Sequence, residues 1–270
     1  MYKLIAIDID DTLINDDKEV TPATQQALEQ AVAKGTVVTL ATGRAYASAQ
    51  AIARQTGLNV PIITYQGALV KNLMDEKVLY ERYVPVEAAR KLHDYCIEHN
   101  LHLQTYIDDK LYARELNQHL IDYTTLNRTQ YYIEPDFAKL MELPTPKMLI
   151  IDDPAFLDEL QPILRELLGD SVHITKSKPE FLEIMHKEGT KGAALTFLAN
   201  HFGCDLKDTI AVGDSWNDHE MLEAAGLGVA MGNAIEPLKA IANYITASNN
   251  EDGVKEVIEK FILNPEEASV

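Results

Sequence analysis

The chain predicts an α/β fold, a doubly wound (Rossmann-like) parallel sheet core with an inserted α+β domain. Three observations carry that prediction. Short apolar runs in both outer thirds of the chain, Leu4-Ile5-Ala6-Ile7 and Ile210-Ala211-Val212 among them, alternate with helical patterns as parallel crossovers do. Both of these runs lead into a carboxylate, and open α/β sheets collect their chemistry at the carboxyl ends of strands. From about Tyr83 to His186 the alternation gives way to helix–strand–strand, twice, which reads as antiparallel hairpins with helices on one side. The expected division is a core from residues 1–82 and 189–270, with residues 83–188 as the insert.

Taken in order, Leu4-Ile5-Ala6-Ile7 is a continuous apolar run, the pattern of a strand buried on both faces. Asp8-Ile9-Asp10-Asp11-Thr12 follows it. Three carboxylates so close repel one another unless a cation sits between them, and a hard divalent ion with oxygen ligands suits them. The alternative is that they solvate a turn or cap the next helix. Thr21-Pro22 opens a helix as N-cap and first residue, Ala23, Ala27, Ala31 and Val32 form its apolar face, and Gly35 ends it. Residues 36–41 are β-rich and predict the second strand, which Thr42-Gly43-Arg44 breaks before an alanine-rich helix over 45–55. A third short strand, 61–65, stops at Gln66-Gly67-Ala68.

Within the insert, residues 85–98 read as a helix, and 101–107 and 111–113 as strands around an Asp108-Asp109-Lys110 turn. Looser sequence covers 131–146, followed by a helix over 154–168 and strands over 172–176 and 181–185. Crossovers resume at Thr190 with a helix through Phe202, a strand over 208–212 and the pair Gly213-Asp214. A helix over 218–225, a strand over 228–231, a helix over 235–242 and a strand over 244–246 come next. The last helix, 253–263, repeats Val254, Val257, Ile258 and Phe261 at helical spacing.

Lys plus Arg number 24 against 42 Asp plus Glu, a formal net charge of -18. That balance argues against nucleic acid or an anionic membrane as a partner, since both call for a basic surface. An anionic substrate would have to be held by locally concentrated positive charge: a metal, a lysine, helix N-termini. The only cysteines, Cys96 and Cys204, are far apart, so the expectation is a reduced, cytoplasmic protein. The N-terminus has no signal-peptide pattern, and no apolar run approaches the roughly 18–20 residues that span a bilayer. The histidines show neither H-x-H nor H-E-x-x-H spacing, which speaks against a zinc mechanism. No obligate protein partner is evident.

The segment Ile210-Ala211-Val212-Gly213-Asp214 repeats the opening arrangement, with Asn217 and Asp218 at the start of the next helix. Asp8 and Asp214, brought side by side, would make a metal site with positions open to water and a phosphate oxygen. Otherwise Asp214 starts a turn and Asn217 or Asp218 caps the helix. Thr42-Gly43, between a strand and a helix N-terminus, is a ready anion site, though Thr-Gly is also a common loop dipeptide. Lys191 sits near a helix start, where a cation opposes the macrodipole unless an anion offsets it.

Four signals in this order resemble the haloacid dehalogenase (HAD) superfamily of phosphotransferases, and within it the Cof-type sugar phosphatases. The D-x-D-x-T signature falls on Asp8, Asp10 and Thr12, and the second-strand threonine is Thr42 in A-T-G-R. The lysine is Lys191 in the K-G pair, and G-D-x-x-N-D is Gly213, Asp214, Asn217 and Asp218. The stretch from Asn249 to Val254 also looks like that subgroup's C-terminal segment, and the insert stands where the subgroup carries its C2-type cap. Two residues depart from the pattern. Asp11 stands where glycine is usual, and Gln66-Gly67-Ala68 where N-G-A is common.

The resemblance implies a Mg²⁺-dependent phosphatase acting on small phosphorylated metabolites, sugar phosphates first. Asp8 would be the nucleophile, forming an aspartyl-phosphate, and Asp10 the general acid and base. Mg²⁺ would be held by Asp8, Asp214 and the Asp10 backbone carbonyl. Lys191, Thr42, Asn217 and the Gly43 backbone would hold phosphoryl oxygens, with Asp218 orienting Lys191 or the metal's water from behind. A phosphomutase on the same core would release little phosphate, and a non-catalytic phospho-ligand sensor would bind without turnover. Arg44, Tyr46 and residues 183–186 are expected either to line the leaving-group pocket or to be structural.

Overall fold

The computed structural model describes residues 2–266. The chain opens with β1 (Leu4–Asp8), α1 (Pro22–Ala33), β2 (Val37–Ala41), α2 (Tyr46–Ala53) and β3 (Pro61–Thr64). These five follow the sequence pattern to within a few residues. Thr21 caps α1, accepting from Thr24 N at 3.1 Å, with Pro22 in the first turn. β4 (Leu69–Asn72) and β5 (Val78–Glu81) come next. They pair antiparallel with β3 and with each other. The sequence pattern did not predict this hairpin, and the parallel sheet expected of the core has an antiparallel edge.

The segment that follows holds α3 (Val86–Glu98), β6 (Leu103–Ile107), β7 (Lys110–Ala113), α4 (Gln118–Asn127), β8 (Tyr131–Ile133) and β9 (Met148–Ile151). α5 (Pro154–Leu168), β10 (Val172–Lys178) and β11 (Phe181–His186) complete it. Here α4, β8 and β9 were not predicted. Strands β10-β11-β9-β6-β7-β8 form one sheet in that order, antiparallel except for the β7–β8 pair. Alternate residues of β9 explain how this sheet packs. Met148 and Ile150 join a core beneath α3 and α5, whereas Leu149 and Ile151 join a cluster with Ala45, Tyr65 and Ala68 of the other sheet's strand-end loops. One face of the second sheet is thus covered by α3 and α5, and the other meets α4 and the first sheet's loops.

The chain then returns through α6 (Lys191–His201), β12 (Thr209–Gly213), α7 (His219–Ala224), β13 (Leu227–Ala230), α8 (Glu236–Ile241), β14 (Tyr244–Ile245) and α9 (Gly253–Ile258). The first sheet runs β14-β13-β12-β1-β2-β3-β4-β5. β1 pairs in parallel with β2 on one side and β12 on the other. The strand order reverses between β1 and β12, and the crevice at the carboxyl ends of those two strands is where an open α/β sheet binds ligands. Asp252 ties the C-terminal part to the start of α1, accepting from the hydroxyls of Thr21 (2.5 Å) and Thr24 (3.1 Å). No helix among the described residues is long and apolar enough to cross a membrane.

Candidate active site

Asp8 is the last residue of β1 and Asp214 follows the last residue of β12, so register alone brings them to the same point of the sheet edge. Carboxylate oxygens of Asp8, Asp214 and Asp218 lie within 4.8 Å of one another. Lys191 Nζ enters this cluster from the first turn of α6, donating to Asp8 Oδ1 (2.5 Å) and Asp218 Oδ1 (2.6 Å). Thr190 caps α6 through Ala193 N at 3.1 Å. A lysine so close to a helix N-terminus is unfavourable by itself, and the two carboxylates offset it. Burial opposes the Lys191 charge, yet Asp218 and Asp8 outweigh it and hold the ammonium above its ordinary range.

The acidic side carries the strain. Burial pushes the Asp8 carboxyl well above its usual range against the pull of Lys191, and the charges of Asp218 and Asp214 push the same way. Asp214 rises to about 7, through burial first and the Asp218 charge second. Three carboxylates share one lysine, and a bound cation is what would relieve the excess. The donor chemistry selects which acids would hold it. Both Asp218 oxygens are taken, Oδ1 by Lys191 and Oδ2 by the backbone N–H groups of Asp214 (2.9 Å) and Ser215 (3.1 Å). Asp218 therefore supports Lys191 and the Asp214 loop, and it also closes a capping box with Ser215. Gly213 makes room for it, since a Cβ there would lie 2.4 Å from Asp218 Cγ. Asp8 and Asp214 remain as an all-oxygen pair suited to a hard divalent ion, with Thr12 steering Asp214 by a 3.0 Å hydrogen bond to Oδ1.

Asp10 has a partner that the sequence pattern did not reveal. Arg44 grips it with two hydrogen bonds, Nε to Oδ2 (2.7 Å) and Nη2 to Oδ1 (2.6 Å). Burial alone would raise the Asp10 carboxyl, but the guanidinium overcomes this and holds it below its usual range. Asp11 has φ 58°, a left-handed conformation that glycine takes freely and aspartate tolerates. That accounts for its place in the pattern. Its side chain reaches out to Lys18 at 3.4 Å.

A cavity of about 280 Å³ lies between this cluster and the second sheet. Asp8, Asp10, Thr42, Gly43, Asp214 and Asn217 line it from below. Tyr123, Phe181 and Trp216 add aromatic surface, and Lys147, Lys178 and Glu183 add charge. Arg44 and Glu183 thus face the cavity, whereas the Tyr46 hydroxyl bonds the Asn72 carbonyl (2.9 Å) and His186 Nδ1 accepts from Glu188 N (3.0 Å). The anion site expected at Thr42-Gly43 needs one correction. The first free amides of α2, Tyr46 N and Ala47 N, are both bonded at 2.9 Å to the carboxylate of Asp109, from the β6–β7 turn. The chain supplies its own anion at that helix end, leaving Thr42 and the Gly43 backbone to face the cavity without it.

A family model of haloacid dehalogenase-like hydrolases matches residues 5–258. The chain belongs to that family. Over 96% of its length this hydrolase is 33% identical to the 5-amino-6-(5-phospho-D-ribitylamino)uracil phosphatase YitU of Bacillus subtilis, 97% of which is covered. It superposes on TM0651 from Thermotoga maritima with a TM-score of 0.83 at 36% identity, covering 96% of this chain and 97% of that one. The HAD subclass IIB sugar phosphatase BT4131 gives a TM-score of 0.84 at 26% identity, with 96% and 98% covered. Within the haloacid dehalogenase-like hydrolases, then, this enzyme is a phosphatase.

Proposed function

We propose that this hydrolase is a Mg²⁺-dependent phosphatase of small phosphorylated metabolites, working through an aspartyl-phosphate on Asp8. The observation that carries the reading is the meeting of Asp8, Asp214 and Lys191 at the sheet's switch point, beneath a cavity also lined by Asp10, Thr42 and Asn217. In the first step an Asp8 oxygen attacks phosphorus in line, the bond to the leaving oxygen breaks, and Asp10 gives that alkoxide a proton. In the second, Asp10 takes a proton from water, the water oxygen attacks phosphorus, and phosphate leaves as Asp8 regains its carboxylate. Arg44 holds Asp10 ionised here, so it must release Asp10 before the acid can be charged, and the substrate phosphate offers the guanidinium another anion.

Lys191, Thr42, Asn217 and the Gly43 backbone hold the transferring oxygens, and Asp218 fixes Lys191. Mg²⁺, when bound by Asp8, Asp214 and the Asp10 carbonyl, supplies positive charge against the repulsion between carboxylate and phosphate. The second sheet acts as a cap that shapes the leaving-group pocket.

Sugar phosphates are the first substrate class, in keeping with the sugar phosphatase BT4131. A phosphorylated compound bearing a planar ring is the second. The aromatic lining by Tyr123, Phe181 and Trp216 favours it, and YitU is named for such a substrate. Phosphate release from a panel holding both classes, with Mg²⁺ and with chelator, tests the reading. Release from at least one class that stops in chelator is expected. Binding without release would favour a sensor, and isomerisation without release a mutase.

A further inference from the structure

A buried polar chain connects the second sheet to two of the groups assigned to phosphoryl oxygens. Lys147, just ahead of β9, and Glu183, on the face of β11 that bears Phe181, are each 2% exposed and form an ion pair of 2.6 Å. Lys147 Nζ also donates to the Gly43 carbonyl at 2.6 Å. Glu183 Oε2 accepts from Gln66 Nε2, and Gln66 Oε1 accepts from Asn217 Nδ2 at 2.9 Å. The chain thus runs Gly43–Lys147–Glu183–Gln66–Asn217, and the reaction as drawn uses neither Lys147, Glu183 nor Gln66.

Two properties give this chain direction and little slack. A lysine only donates and an ionised carboxylate only accepts, so Gln66 must turn its NH₂ to Glu183 and its carbonyl to Asn217. Asn217 must then spend one N–H on Gln66, which leaves the other as a donor and sets the orientation of the amide. The fit is also close, for a Cβ on Gly43 would lie 2.3 Å from Gln66 Nε2. Gln66 is held in a left-handed backbone conformation, φ 63°.

We infer that Gln66, Glu183 and Lys147 are positioning residues, through which the seating of the second sheet orients the Asn217 amide and the Gly43 loop for phosphoryl transfer. The inference rests on the phosphatase reading and gives Gln66, a departure from the family pattern, a definite task. Reversing one hydrogen bond tests it. In Glu183→Gln an NH₂ meets an NH₂, or Gln66 flips and passes the mismatch to Asn217. In Gln66→Glu two carboxylates face each other. The exchanged pair, Gln66→Glu with Glu183→Gln, satisfies every partner again with one donor reversed and keeps a negative charge near Lys147.

The assay is p-nitrophenyl phosphate hydrolysis with Mg²⁺, with inhibition by inorganic phosphate and thermal melts on the same samples. Each single variant is expected to lower kcat and weaken phosphate inhibition by ~10-fold, the effect of one unsatisfied buried group, and the exchanged pair to recover most of the loss. Gln66→Met, which leaves the Lys147–Glu183 pair intact, guards against misfolding and should weaken phosphate inhibition likewise. Single variants that melt earlier but keep wild-type kcat and phosphate inhibition would overturn the inference. So would an exchanged pair no better than the poorer single, or an unchanged Gln66→Met. Asp8→Asn in the same assay separates the two ideas, since turnover surviving there sinks the phosphatase reading itself.

Discussion

At the scale of single residues, the charge imbalance around Asp214 has a consequence in the metal-free protein. Its carboxyl, pushed up to about 7 in the folded chain, has an ordinary value of 3.8. Between those values the folded state keeps a proton that the unfolded state releases. Asp214 therefore favours folding at low pH, and this contribution is lost as pH rises through about 7. In chelator, the stability of the wild type relative to Asp214→Asn should fall on going from about pH 5 to about pH 8, by on the order of 2 kcal/mol. Mg²⁺ should close the gap. A pH-independent difference in paired thermal melts would rule out this role for Asp214. Much at this scale is legible in sequence, because Asp8, Thr42, Lys191, Asp214 and Asn217 sit at strand ends or helix starts that local pattern can locate. The Arg44–Asp10 grip and the Gln66–Glu183 bond are not, since they join residues 34 and 117 positions apart and no local rule pairs them. Asp11 sits between: the sequence shows the departure from glycine, and only its φ of 58° shows why the position wants one.

Elements are fixed partly by contacts that cross between the two sheets. The two-residue turn Asp108-Asp109 has φ of 48° and 62°, the geometry that closes a tight hairpin. It aims Asp109 at the N-terminus of α2 and at the Tyr65 hydroxyl. Ala45, the residue before α2, has no side-chain cap to offer. Asp109 thus caps a helix more than sixty positions away in the chain. Asp109→Ala should cost about 1–2 kcal/mol, as loss of an N-cap does, and Asp109→Asn, which keeps one acceptor, should cost less. Chemical denaturation of the three proteins checks the order, and equal stability would contradict it. Elements with strong local signals are the ones the sequence predicts, such as β1 with its apolar run and α1 with its Thr-Pro cap. The β4–β5 hairpin lacks such a signal, with exposure at Val78 and Glu81 and four residues in each strand. β9 is hidden for the opposite reason, because Met148-Leu149-Ile150-Ile151 is buried throughout and shows no alternation.

For the whole molecule, the decisive fact is that one sheet edge gathers residues from both ends of the chain while a second sheet roofs it. The strand-order reversal between β1 and β12 sets the acids side by side, and the interleaved cluster of Tyr65, Tyr106, Leu149 and Phe181 holds the roof in place. In the proposed reaction Asp8 itself takes up the phosphoryl group. Acid quenching during turnover of the best substrate from the panel, followed by peptide mass spectrometry, tests this most directly. A peptide heavier by one phosphoryl group is expected, with the modification on Asp8, and its loss in Asp8→Asn. Full turnover with an unmodified Asp8 peptide at every quench time, and hydrolysis preserved in Asp8→Asn, would contradict it.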